Sequence, residues 1–278
     1  MSVERGSAFT FVDRILALTP GHSARGIYLV PRQLAEFPAC LVAEAVGQLA
    51  AWVAMQHTAF ALRPVAALAT EVRFERSVAP GEQLDLSVRV ESCDQTAIAY
   101  SGDARVAGSL IAQLRECVGP LQATPQFDDL ELLRRDFHTL CAHGSPAQAF
   151  PGAKPLWDGQ ATMTGNAAMH AGLVAPATAP FFADHFPRKP VLPATLLLDA
   201  LLQLASILVR RVSGEGDWRP TCVQQVKLRR YVEPGQELQL VAELASSDDV
   251  RLVKVSASSA GQRVANAQAR FARSDSKH

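Results

Sequence analysis

His185 stands on a loop studded with Pro187, Pro190 and Pro193, and the apolar run behind it carries one acid, Asp199, and one amide, Gln203. A neutral imidazole near a carboxyl group can divide acid–base work, one taking a proton from carbon while the other gives one to a leaving group. Proline is tolerated in a first helical turn because its missing N–H has no partner there anyway, so a helix is expected from Ala194. Residues four apart share a helix face, which places Asp199 and Gln203 side by side on an otherwise Leu, Ala, Ile and Val surface. Burying either group needs a partner. A lone histidine beside a helix is more often structural, so the spacing has to carry the assignment.

The same spacing occurs earlier. Pro38, Glu44 and Gln48 recur as Pro193, Asp199 and Gln203, each 155 positions later, and Pro80-Gly81 recurs as Pro234-Gly235, 154 later. This is a tandem duplication with a one-residue slip. Each half reads as a strand or two, a buried helix, then three or four strands in an antiparallel meander. The strands after the first helix are expected near 66–76, 84–92, 95–104 and 110–118. Those after the second are expected near 220–230, 237–245, 250–258 and 264–272. Residues 9–30 read as an entry segment and a strand around Pro20-Gly21. The divisions are a first repeat, 1–121, a linker, 122–155, and a second repeat, 156–278. A helix near 127–142 in the linker is capped by Asp128 or Asp129 and closed by Gly144.

Composition narrows the function classes. Lys plus Arg and Asp plus Glu are both 27, so no basic excess points to nucleic acid or an anionic membrane. Five cysteines, an odd number without metal-ligand spacing, favour free thiols in a cytoplasmic protein. His22, His57, His138, His143 and His170 make no ligand pattern either, so neither metal nor cofactor is expected. The start of the chain lacks the pattern of a secretory leader, and the tail SDSKH is expected to fray. Two apolar runs, 38–55 and 191–209, approach the length of a membrane span, but each holds an acid and a Gln. Buried core helices are the expectation, with Trp52 on the first as core or tunnel wall.

The run HFPRKPVLPATLLLDALLQ resembles the motif of bacterial 3-hydroxyacyl-(acyl-carrier-protein) dehydratases: a His, a Pro five later, a second Pro eight later, an acid fourteen later and a Gln eighteen later. His185, Pro190, Pro193, Asp199 and Gln203 fall on these positions. FVDRILALTPG is similar to that family's opening segment, and VRFERSVAPGEQLDLSVRV to its strands after the helix. Arg188 and Ala194 stand where the family has Gly. The resemblance implies an α+β double hot-dog, in which two curved antiparallel sheets each wrap a long helix and join edge to edge. It implies dehydration of 3-hydroxyacyl groups carried by the phosphopantetheine of an acyl carrier protein, in fatty-acid or polyketide-type synthesis. A homodimer is left open. A hot-dog thioesterase or acyltransferase-decarboxylase, and a non-catalytic partner of a synthase, are the competing readings.

In single-repeat members of that family each site takes its His from one subunit and its acid from the other. Carried onto the duplication, this pairs His185 with Glu44 across the halves, with Gln48 and Pro193 in support and the Ala194 N–H as backbone donor. Counting back 155 from His185 reaches Val30, so the other site, with Asp199 and Gln203, is expected to be vestigial. Arg188 and Lys189 are the expected contacts for the carrier.

Overall fold

The computed structural model describes residues 8–273 apart from 66–67, 146–149, 153–155, 158, 215 and 247–249; the leader reading at 1–7 and the tail from 274 lie outside the described residues. The first half opens with β1 (Arg14–Thr19) and β2 (Ser23–Leu29), a hairpin over the Pro20-Gly21 turn, so a second strand stands where the sequence suggested only an entry segment. Next come α1 (Ala39–His57), the short β3 (Leu62–Pro64), β4 (Leu68–Phe74), β5 (Gln83–Cys93), β6 (Ala97–Val106) and β7 (Ser109–Ala123). A 3₁₀ turn at Thr124–Gln126 leads into α2 (Leu130–Ala142). The second half has β8 (Thr162–Thr164), β9 (Ala168–Val174), α3 (Ala194–Ser213), β10 (Trp218–Leu228), β11 (Glu237–Ser246), β12 (Arg251–Ser259) and β13 (Gln262–Arg273).

Both long helices start where proline allows. Pro38 at φ −58°, ψ 137° and Pro193 at φ −55°, ψ 131° hold the same extended backbone, and no side chain caps either helix. Thereafter Ala, Leu and Val dominate, and Leu41, Leu49, Val53, Leu197, Leu204 and Leu208 are almost wholly buried. α1 has the length and apolarity of a membrane span, yet more than half of it is buried inside the sheet.

The strands do not run as a plain meander. Each half gives the mirrored orders β1-β2-β5-β6-β7-β4 and β8-β9-β11-β12-β13-β10. β4, which follows α1 and the short β3, and β10, which follows α3, each cross to the far edge of their own half. There β4 and β10 pair antiparallel, Val72 opposite Val223 and Glu71 opposite Gln224, so one continuous sheet crosses the seam. The Gln224 amide donates to Glu71 at 2.9 Å on that seam. This is the double hot-dog: two curved half-sheets, each around one helix, joined edge to edge. α1 and α3 pack against each other across the seam, and a hydrophobic core runs through both halves without a break.

The two halves differ most ahead of their helices. Residues 30–38 join β2 to α1, whereas 175–193 join β9 to α3. Val30 donates its N–H to the Glu82 carbonyl and accepts from Gly81; Ala175 donates to Gln236 and accepts from Gly235. Val30 is therefore the counterpart of Ala175, and the count of 155 that matched it to His185 breaks down there. The first half has no shortened version of the His loop with Val at its tip. It has no such loop at all.

Candidate active site

A cavity of about 550 Å³ lies between the halves, and Glu44, Gln48, His185 and Ala194 all line it. Asp199, Gln203 and Val30 do not. Glu44 comes from the second turn of α1, one turn before Gln48, and the Gln48 amide donates to its Oε1 at 2.9 Å. Its Oε2 accepts from the Thr195 hydroxyl at 2.8 Å, a bond from the first half to the first turn of α3. Burial pushes the Glu44 carboxyl above its ordinary value, against the pull of those two hydrogen bonds and the Arg63 charge.

His185 follows the 3₁₀ turn Pro180–Ala183 and donates its backbone N–H to the Phe181 carbonyl. Its Nδ1 lies 3.3 Å from the Val191 carbonyl. A carbonyl only accepts, so Nδ1 carries the proton and Nε2 is left basic. Burial, and then the nearby Arg63 charge, push the imidazole down to about 3, which keeps it neutral at ordinary pH. Phe186 next to it holds φ +59°, a conformation that a bulky side chain adopts only when its surroundings impose it.

The entry segment fastens the two residues to each other. Gln48 donates to the Phe9 carbonyl at 3.1 Å and accepts from Phe11 N–H at 2.9 Å. Asp184 accepts from the Ala8 and Phe9 N–H groups at 2.7 and 2.9 Å. The Phe9 ring then meets the His185 ring edge-on, with centroids 5.5 Å apart. Gln48 thus does more than support the acid: it anchors the strap that packs on the base.

Arg188 and Lys189 are exposed, but both have partners within the chain. Arg188 bonds Asp129 at 2.7 Å and donates to the Pro125 carbonyl at 3.3 Å. The Lys189 ammonium lies 4.8 Å from the Tyr231 ring centroid. Both tie the His loop down locally. Asp129 also caps α2, accepting from Glu131 and Leu132 N–H, while Asp128 turns inward and pairs with Arg63. Arg63 carried no signal in the sequence. Thr195 could have been found, being the one hydroxyl in the first turn after Pro193.

The second acid is differently placed. Asp199 accepts from Gln203 at 2.7 Å, and burial raises it to about 6, with the Glu36 charge adding to this. Cys40, 155 positions before Thr195, is buried, so on that side a thiol stands where Thr195 offers a hydroxyl to Glu44.

Known proteins match both halves. A family model described as ApeI dehydratase matches residues 161–268, and one described as a FabA-like domain matches 32–115. A 3-hydroxyacyl-(acyl-carrier-protein) dehydratase FabZ of Acetivibrio thermocellus is 37% identical over 101 residues, 34% of this chain and 68% of the relative. The FabZ of Levilactobacillus brevis is 37% identical over 89 residues, 31% of this chain but 59% of the relative; against several others the chain spans about half their length. In structure, the dehydratase domain of PpsC from Mycobacterium tuberculosis, solved with C12:1-CoA, superposes with a TM-score of 0.56 at 16% identity, over 96% of this chain and 100% of that one. An oleoyl thioesterase from Lactobacillus plantarum gives 0.58 at 10% identity, over 91% and 97%, so the fold alone is shared with both. The chain belongs to the 3-hydroxyacyl-(acyl-carrier-protein) dehydratase family of hot-dog proteins, with two hot-dog units in tandem.

Proposed function

We propose that this chain dehydrates 3-hydroxyacyl thioesters to 2-enoyl thioesters at one site per chain, with the acyl group delivered on an acyl carrier protein during acyl-chain synthesis. The observation that carries this is the meeting of His185 and Glu44 in one cavity, with the Thr195 hydroxyl holding the acid at the N-terminus of the helix that follows the His loop.

His185 Nε2 takes the C2 proton. The C2 electron pair forms the C2–C3 double bond, the C3–O bond breaks, and Glu44 gives its proton to the leaving hydroxyl, which departs as water. A proton returning from His185 to Glu44 through solvent resets the site. Burial keeps the His185 imidazole neutral and able to accept a proton, and it shifts the Glu44 carboxyl toward its proton-bearing form, the direction a proton donor needs. While the C2 proton leaves, charge gathers on the thioester oxygen. The N-terminus of α3 at Ala194 supplies backbone N–H donors and the positive end of a helix dipole, and a donor of this kind contributes about 2.7 to 4 kcal/mol in other enzymes. Because the donor is backbone, Ala in place of Gly keeps it.

The test is turnover of 3-hydroxyacyl groups of several lengths, on carrier protein and on coenzyme A, followed by mass spectrometry. A loss of 18 Da from the acyl group in wild type and none in His185→Ala is expected. Free thiol detected by Ellman's reagent in place of enoyl product would favour the thioesterase reading.

A further inference from the structure

Arg63 joins three parts of the chain. It stands on β3 of the first half, pairs with the buried carboxylate of Asp128 in the linker, and lies 4.8 Å from the ring centroid of Phe186, next to the candidate base. Around it the linker grips the His loop at more points. The Phe127 and Phe186 rings are 5.1 Å apart, Arg188 donates its N–H to the Phe127 carbonyl, and its guanidinium bonds Asp129. Arg63 also lines the same cavity as Glu44 and His185. A planar guanidinium can pair with a carboxylate and stack on an aromatic ring together; a lysine ammonium cannot match both.

We infer that Arg63 is the positioning residue of this site, locking the His185 loop to the linker through Asp128 and Phe186 so that the base of one half faces the acid of the other. The inference rests on the dehydratase reading for its catalytic consequence. The linker is thereby part of the site as well as a tether. Charge follows from the same placement, since Arg63 opposes protonation of His185 after burial has done most of that work. Among the described residues, the charged or titratable groups facing the loop or its cavity include Glu44 from α1, Asp128, Asp129 and Asp136 from the linker, Tyr231 after β10, and Asp184, Arg188 and Lys189 on the loop itself.

The test is Arg63→Met, Arg63→Lys and Asp128→Asn in the full chain, read by kcat and KM across pH and by NMR titration of the histidine ring protons, with His185→Gln to assign the signal. Arg63→Met should lower kcat by about tenfold or more, with KM nearly unchanged, because a loop displaced by about 1 Å is enough for that. Its His185 signal should titrate higher than in wild type, because the like charge that opposes its protonation is gone. Arg63→Lys should restore the titration but only part of kcat. If Arg63→Met fails to fold by circular dichroism, Asp128→Asn decides, with a lowered kcat and no rise in the His185 titration expected. Wild-type kcat and an unshifted His185 in Arg63→Met, or wild-type kcat in Asp128→Asn, would overturn the inference. A wild-type chain that makes no enoyl product sinks the dehydratase reading instead, and the His185 titration still reports the placement of Arg63.

Discussion

At the scale of residues, two acids with the same helical address have different surroundings. Glu44 is held by Gln48 and by Thr195 from the other half, while Asp199 is held by Gln203 and feels the charge of Glu36. Asp199 is raised from 3.8 to about 6, so its folded form favours the proton. That stabilisation is complete below the unfolded value and is lost as pH rises through about 6. At pH 7 the ionised group is a net cost, and Asp199→Asn should raise the unfolding free energy by at most about 3 kcal/mol, with no gain at pH 4; denaturant melts at both pH values check this. The rate should depend on pH in the same sense. With His185 near 3 and Glu44 above the ordinary carboxylate value of 4.5, kcat/KM should stay high on the acid side and fall as pH rises through the Glu44 value. An acid limb near 6.5 would show that His185 is not held as described.

At the scale of elements, the proline starts of both helices and the Glu44 address were legible, because a helix fixes the register of every residue behind its first turn. The 155-residue offset therefore holds from Pro38 along the helix to Gln48. It fails ahead of the helix, where loop length is free and no periodicity records an insertion, which is why Val30 was matched to His185 and proves to be the counterpart of Ala175. Arg63 was invisible for a related reason: its role is set by Asp128 and Phe186, which are brought to it only by the tertiary path of the linker and the His loop. The strap at 9–11 is similar. Gln48→Leu should strip the Phe11 N–H, the Phe9 carbonyl and Glu44 of a partner and destabilise the chain by about 1–3 kcal/mol, since buried groups left unpaired cost that much. Hydrogen exchange should quicken at Phe11 first. Unchanged exchange there would show that Gln48 does not anchor the strap.

At the scale of the molecule, the duplication and the α+β content could be read from the sequence, but the crossing of β4 and β10 to the seam could not, because strand order depends on pairing partners far apart in the chain. That seam has a thermodynamic consequence. One sheet and one continuous core run through both halves, so calorimetry should show a single unfolding transition, and Val223→Asp, which buries a charge opposite Val72, should lower it for both halves together. Two separate transitions would mean the halves are independent.

A site shared across the seam is the central claim, and one comparison tests it most directly: enoyl product formed per second by Glu44→Gln and by Asp199→Asn, followed by mass spectrometry on a 3-hydroxyacyl-carrier substrate. Glu44→Gln should lose about 10²- to 10⁴-fold, the usual contribution of a positioned acid, while Asp199→Asn keeps wild-type turnover. Asp199→Asn as damaging as Glu44→Gln would contradict the cross-half site.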